Sequence, residues 1–119
     1  MTAHRVAALA DVPTDGGLLV TVNHLEIGLY RVGTQIRAWR NVCPHMAAPV
    51  CLGVVTGTRL PSEVYRYELG LDGQVLQCPW HGWEFDLLTG CHLAAGSSAR
   101  LRGFPVEVRD GEVFVHTRI

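Results

Sequence analysis

Cys43-Pro44-His45 and Cys78-Pro79-Trp80-His81-Gly82-Trp83 are the two stretches that decide how this chain folds. Each offers one thiolate and one imidazole across a short segment that contains proline. Two Cys and two His can hold a [2Fe–2S] cluster in which imidazoles replace two of the four thiolates. The same set could complete a tetrahedral zinc site. The residues therefore predict a metal centre, and the predicted ligands are Cys43, His45, Cys78 and His81.

The spacing of these ligands favours the cluster over zinc. Each stretch supplies one ligand of each type, whereas common zinc modules pair two histidines on a helix or use Cys-x-x-Cys. A [4Fe–4S] cluster on the four cysteines of the chain fits less well, because the usual close run of cysteines is missing. It would also leave two well-placed histidines unused.

The two stretches resemble the ligand loops of the Rieske family, which supply Cys-x-His from one loop and Cys-x-x-His from a second. The continuation Gly82-Trp83-Glu84-Phe85-Asp86 is also similar to a Rieske second loop. The interval between the two loops is longer than in the most compact family members, mainly through residues 52–63. The resemblance implies one [2Fe–2S] cluster, with Cys43 and Cys78 on one iron and His45 and His81 on the other.

The resemblance also bears on the redox potential. High-potential members of cytochrome bc complexes carry an extra bridged cysteine in each loop, where this chain has Trp80 and a position near Ala48. They also carry a hydroxyl residue after the loop glycine, where this chain has Trp83. Fewer hydrogen bonds to sulfur leave the reduced cluster less stabilised. We therefore expect a potential at the low end of the Rieske range, about −150 mV.

The remaining cysteines, histidines and tryptophans are expected to have structural roles. Cys51 and Cys91 are interpreted as reduced, small, partly buried apolar side chains, because a reducing cytosol disfavours disulfides. We expect surface or strand-end positions for His4, His24, His92 and His116. We expect the large aromatic side chains to fill the core or shield the cofactor, namely Trp39, Trp80 and Trp83.

Length and composition predict a single domain, residues 1–119, with a real hydrophobic core. The ten basic and eleven acidic residues nearly cancel, which argues against bulk attraction to nucleic acid. No stretch has the pattern of a secretory signal, and no window approaches the roughly twenty apolar residues that span a bilayer. The sequence therefore predicts a cytoplasmic protein without a membrane segment.

Strand and turn signals predict an all-β fold. Apolar runs at residues 18–22, 27–32 and 35–40 read as strands, with a turn at Gly33-Thr34. Asp72-Gly73 and Asp110-Gly111 each predict a hairpin turn between flanking strands. No window shows a sustained helical period with caps.

The resemblance completes this architecture as a Rieske-type antiparallel β sandwich. It implies a base of stacked sheets in which both chain ends pair. It further implies a small cluster-binding subdomain at about residues 42–92, with the cluster held by two loops at its tip.

For function, the resemblance implies a small ferredoxin that carries single electrons from an NAD(P)H-dependent flavin reductase to a terminal oxygenase. Rieske oxygenases add a mononuclear iron site of two His and one carboxylate, and no such triad follows His92. The chain is therefore expected to be an electron-transfer component with no catalytic site of its own. Two alternatives stay open: a Rieske subunit bound permanently in a larger oxidoreductase such as a nitrite reductase, and a redox-sensing or zinc-binding module.

Overall fold

The structure is a computed structural model. It describes residues 2–14, 16–44, 49–60, 68–79, 83–94 and 96–118. Within these ranges the secondary structure is almost entirely β-strand, which confirms the predicted all-β class. The strands are β1 (Thr2–Ala8), β2 (Gly17–Val22), β3 (Leu25–Val32), β4 (Gln35–Arg40), β5 (Val54–Leu60), β6 (Glu68–Gln77), β7 (Glu84–Asp86), β8 (Gly103–Phe104), β9 (Val106–Arg109) and β10 (Glu112–Thr117). Two short 3-10 helices, Leu9–Asp11 and Val50–Leu52, accompany them.

The strands form three antiparallel sheets. The terminal sheet has the order β1-β10-β9, the central sheet β2-β3-β4-β8 and the outer sheet β5-β6-β7. In the terminal sheet Thr2 pairs with Thr117. The expectation that both ends of the chain pair with each other is therefore confirmed.

The central sheet has apolar side chains on both faces. Because successive side chains of a strand point to opposite faces, Ile27 and Leu29 of β3 lie on one face and Tyr30 and Val32 on the other. The first pair packs in a core that includes Val113 and Val115 of β10, among other residues. The second pair packs in a separate core with residues of the outer sheet, among them Leu76 and Phe85. The central sheet thus lies between the terminal and outer sheets and connects their two cores.

Trp39 of β4 fixes the central sheet to the segment that follows β7. Its indole Nε1 donates a buried hydrogen bond of 2.9 Å to the carbonyl of Leu87. The ring lies directly against Gly90 and Gly103, and a Cβ at either position would stand 2.6 Å from ring atom Cζ3. The expectation of a core position for Trp39 is confirmed, and the two glycines provide the space for its ring.

One of the two predicted hairpin turns is confirmed and the other is wrong. Asp110 and Gly111 connect β9 to β10 with φ values of 51° and 76°, as an Asp-Gly hairpin turn requires. Asp72 and Gly73 instead lie inside β6.

The pairing of β5 with β6 explains the incorrect prediction. The register runs from Thr56 opposite Val75 to Thr58 opposite Gly70, so four residues of β6 face a single residue of β5. Asp72 and Gly73 therefore lie in an irregular part of the β5–β6 pairing and not at the end of a hairpin. The connection between β5 and β6, residues 61–67, lies outside the described part of the chain.

Gly90 and Gly96 offer a matched test of the Trp39 contact, because both have φ +77° but only Gly90 touches the ring. Alanine at either position pays the strain of a left-handed backbone, about 1–2 kcal/mol. Gly90→Ala should lose about 1–3 kcal/mol more, because the hydrogen-bonded indole cannot move away from an added methyl group. Urea unfolding of both variants measures this difference, and equal losses would contradict the described packing.

Candidate metal centre

The first ligand loop leaves the central sheet at the end of β4. The backbone N–H of Asn41 donates to the carbonyl of Glu26 at 2.8 Å, and that of Val42 donates to the carbonyl of Arg40 at 2.8 Å. These bonds turn the chain away from the sheet immediately before Cys43. The side chain of Cys43 is 1% exposed, so this predicted ligand lies in the protein interior.

The side chain of Asn41 holds the two ends of the first loop together. Its Oδ1 accepts a hydrogen bond of 2.8 Å from the backbone N–H of Cys51, which follows the loop. Its Nδ2 donates to Oε2 of Glu26 on β3 at 3.2 Å. The base of the loop is therefore fixed to the central sheet whatever the loop binds.

Cys51 fixes the same end of the loop through its carbonyl and its thiol. The carbonyl accepts a hydrogen bond of 3.4 Å from the hydroxyl of Tyr30. The thiol Sγ donates a hydrogen bond of 3.7 Å to the carbonyl of Trp39. The thiol occupies the space above Gly28, where a Cβ would stand 2.5 Å from Sγ. Burial raises the pKa of the Cys51 thiol, and burial likewise raises the pKa of Tyr30. Cys51 is thus a neutral anchoring side chain.

The second ligand loop is the connection of the β6–β7 hairpin. Gln77 pairs with Glu84 at its base, and the backbone N–H of Cys78 donates to the carbonyl of Trp83 at 2.7 Å. The two ends of the loop are therefore in contact. Cys78 is 2% exposed, so it is buried in the same way as Cys43.

The fold brings Cys43 and Cys78 into one apolar core. Both belong to the core between the central and outer sheets. Two buried sulfur donors from separate loops suit iron in an iron–sulfur cluster or zinc. The other two predicted ligands, His45 and His81, lie outside the described residues. Within the described residues alone, no group of three potential ligands is found.

The remaining cysteines and histidines differ in how they match expectation. Cys51 is half-buried as predicted, but Cys91 is exposed, so the prediction for Cys91 is wrong. Cys91 follows the turn at residues 87–89 and forms an isolated antiparallel bridge with Arg100. His116 pairs with Glu107 on the neighbouring strand at 3.4 Å. His92 is half-buried and stacks on Trp83.

Several contacts at the site could not be found by sequence reasoning. Asn41 carries no motif, and its partners Glu26 and Cys51 are 15 and 10 residues away. In the sequence Gly28 is an ordinary strand glycine, and only the structure shows that the Cys51 thiol packs against it. The stack of His92 on Trp83 had one signal, which was the short distance of His92 from the second loop in sequence.

Comparison with known proteins identifies the family. Residues 2–105 match the family model described as the Rieske [2Fe-2S] domain. The chain therefore belongs to the Rieske [2Fe-2S] domain family, and such a domain implies a [2Fe–2S] cluster. The zinc alternative is correspondingly disfavoured.

Relatives and solved structures agree with this family. Ferredoxin CarAc of Metapseudomonas resinovorans is 32% identical over 114 residues, covering 93% of this chain and 90% of the relative. The ferredoxin component of the naphthalene 1,2-dioxygenase system of Pseudomonas aeruginosa is 31% identical, covering 91% of this chain and 88% of the relative. A chain from the complex of reduced oxygenase and oxidized ferredoxin in carbazole 1,9a-dioxygenase superposes with a TM-score of 0.71 at 31% identity, covering 95% of this chain and 91% of that chain.

The described residues include no candidate for a membrane-spanning helix. None of them belongs to a helix long and apolar enough to cross a bilayer.

The raised pKa of Cys51 predicts how stability depends on pH. A buried thiol with a raised pKa stabilises the fold fully below the ordinary thiol pKa of about 8.5, and this contribution is lost as the pH rises. We therefore compare the unfolding free energies of the unmodified protein and of Cys51→Ser. Above this pH the value for the unmodified protein should fall relative to that of the variant, by at most about 1.4 kcal/mol per pH unit. Urea titrations between pH 7.5 and 9.5 measure it, with the exposed Cys91→Ser as the control. A difference that does not change with pH would contradict the burial of Cys51.

Proposed function

We propose that this protein is a Rieske-type ferredoxin that carries single electrons to a terminal oxygenase. The observation that carries the proposal is its match, over 90% and 88% of their lengths, to relatives that are themselves ferredoxins of this kind. One of them is named as the ferredoxin component of a dioxygenase system. Such components transfer electrons and leave the chemistry to another protein. We assign the same role here, without a catalytic site in this chain.

We propose that one [2Fe–2S] cluster is held by Cys43, His45, Cys78 and His81. The burial of both thiols in one apolar core supports the cysteine half of this ligand set. The imidazole half rests on the Rieske motif, in which histidines bind the second iron. When bound, the cluster accepts and releases one electron. We further propose that residues 42–92 form the cluster-binding subdomain, because they include both loops and all three strands of the outer sheet.

The residues around the site prepare it for rapid electron transfer. Transfer is fast when little structure must rearrange, and both loops are fixed at their ends by hydrogen bonds that do not involve the ligand side chains. The Asn41 side chain does this for the first loop. The bond from Cys78 to Trp83 does it for the second. Pro44 and Pro79 restrict the backbone immediately after each ligand cysteine.

We propose an NAD(P)H-dependent flavin reductase as the electron donor, a terminal oxygenase as the acceptor, and the cytoplasm as the location. The near balance of ten basic and eleven acidic residues supports protein partners over nucleic acid. The experiment is reduction of the purified protein by such a reductase, followed by transfer to an oxygenase of a carbazole or naphthalene system in stopped flow. Reduction without transfer to any oxygenase, or isolation only as a subunit of a larger enzyme, would overturn this function.

Removal of either buried ligand should abolish the cluster. In Cys43→Ser and Cys78→Ser, a harder oxygen replaces the thiolate that the iron prefers. We expect complete loss of visible absorption and of iron and sulfide after anaerobic reconstitution. Cys91→Ser is the matched control, because Cys91 is exposed and outside both loops. It should assemble a normal cluster; a coloured Cys43→Ser or Cys78→Ser protein would refute the ligand assignment.

The redox potential provides an independent test. Trp83 stands where high-potential family members place a hydroxyl donor to the cluster, so a cluster held by these loops would lack that hydrogen bond. We expect a midpoint at the low end of the Rieske range, about −150 mV. Potentiometric titration followed by visible circular dichroism measures it. A midpoint well above zero would contradict the assignment to the low-potential group.

A further inference from the structure

His92 is held face to face against Trp83, the last residue of the second ligand loop. The two ring centroids are 4.0 Å apart and the ring planes differ by 4°. Phe85, which is fully buried, lies at a tilted 5.4 Å from the same imidazole. The imidazole thus lies against two aromatic side chains of the β7 region. Contacts between rings stabilise a fold by more than the burial of their apolar area alone.

The backbone of His92 is fixed against β7. Phe85 and His92 form an antiparallel bridge, and hydrogen bonds on either side of it join Leu93 N–H to the carbonyl of Glu84 at 2.9 Å and Asp86 N–H to the carbonyl of Cys91 at 2.9 Å. His92 therefore occupies the position of an extra strand residue beside β7. Its place relative to the second loop is set by the sheet.

The orientation of the imidazole is fixed by Ser97. A hydrogen bond of 2.8 Å joins His92 Nδ1 to Ser97 Oγ. Ser97 is itself held in a tight turn, because its N–H donates to the carbonyl of Ala94 at 3.1 Å and its Oγ accepts from Ala99 N–H at 3.3 Å. The ring cannot rotate away from Trp83 without breaking the bond to Ser97.

We propose that His92 is a positioning residue for the second ligand loop, an inference that rests on the proposed function. A continuous chain of contacts leads from Ser97 through the His92 ring to Trp83, and from the Trp83 carbonyl to the backbone N–H of Cys78. The stack fixes Trp83, and Trp83 in turn fixes the backbone from which the Cys78 thiolate projects. His92 acts on the cluster without binding it.

The proposal makes a specific statement about the cluster environment. Without the imidazole, Trp83 loses a stacking partner and the end of the second loop loosens. Water then approaches the cluster more closely, and solvent exposure stabilises the reduced, more negative state. The potential should therefore become more positive, and the cluster should be lost faster.

The experiment compares His92→Ala with His92→Phe in the full-length, reconstituted protein. His92→Ala should change the EPR g-values of the reduced cluster, shift the midpoint potential to a more positive value, and bleach faster in the presence of a chelator. We expect roughly a two- to tenfold faster bleaching, the factor that corresponds to the loss of one aromatic contact. His92→Phe keeps a ring for the stack on Trp83 but lacks the bond to Ser97, so its g-values and bleaching rate should be perturbed less than those of His92→Ala. His116→Ala, in the terminal sheet, is the matched histidine control and should behave as the unmodified protein.

A second pair of variants keeps the test decisive if His92→Ala fails to assemble a cluster. Ser97→Ala removes the bonds of Oγ to His92 Nδ1 and to Ala99 N–H and keeps both aromatic rings, whereas Ser98→Ala changes the exposed neighbouring serine. Ser97→Ala should bleach faster than the unmodified protein, and Ser98→Ala should not.

Three results would overturn the proposal. The first is a His92→Ala protein whose g-values, potential and bleaching rate are unchanged. The second is a His92→Phe protein that is as perturbed as His92→Ala. The third is a Ser97→Ala protein that bleaches as slowly as Ser98→Ala. None of these results touches the proposed function, because each presupposes a normal Rieske signal in the unmodified protein. Absence of that signal would instead refute the proposed function itself.

Discussion

The burial of two thiols, Cys43 and Cys78, in one apolar core is the constraint on which the rest of the structure depends. Buried thiolates are costly unless a metal neutralises their charge, so the proposed ligand role of these two residues agrees with their burial. The fold must also deliver the two residues from strands of different sheets. Cys43 follows β4 of the central sheet, and Cys78 follows β6 of the outer sheet. With the proposed ligands, metal binding therefore depends on the packing of these two sheets against each other.

Both ligand loops are fixed at their bases by the surrounding fold. The central sheet has apolar residues on both faces, so the terminal sheet and the outer sheet pack against opposite sides of it. Trp39 connects it to the segment after β7 through a buried hydrogen bond to Leu87. Asn41 and Cys51 close the first loop, and Cys78 and Trp83 close the second. The loops that carry the proposed ligands are thus held by hydrogen bonds that do not involve the ligand side chains.

The sequence allowed the fold class and the family to be predicted, because both depend on local signals. β4 was predicted with its observed bounds, Gln35–Arg40, since alternating apolar residues and the Gly33-Thr34 turn are contiguous features. The Asp110-Gly111 turn was identified for the same reason. At Asp72-Gly73 the same dipeptide signal failed, because only the pairing partner on β5 determines whether Asp-Gly forms a turn or a bulge.

The supporting contacts of the site could not be predicted, because in each of them at least one partner carries no motif and the contact depends on how separate elements pack. Nothing in the sequence indicates that Asn41 bonds to Cys51 or that Gly28 accommodates a thiol. For the stack of His92 on Trp83 the only signal was the closeness of His92 to the second loop in sequence. These contacts follow from the packing of β3, β4 and β7, which is a property of the whole fold. The ligand motif is local and strong, whereas the residues that position it are identified only in three dimensions.

Mössbauer spectroscopy of the oxidised protein, reconstituted with iron-57, tests the central claim most directly, because it reports the ligand environment of each iron separately. Two thiolates on one iron and two imidazoles on the other should give two quadrupole doublets of equal area with different isomer shifts. A single doublet from two equivalent irons, or protein that takes up no iron–sulfur cluster, would contradict the account.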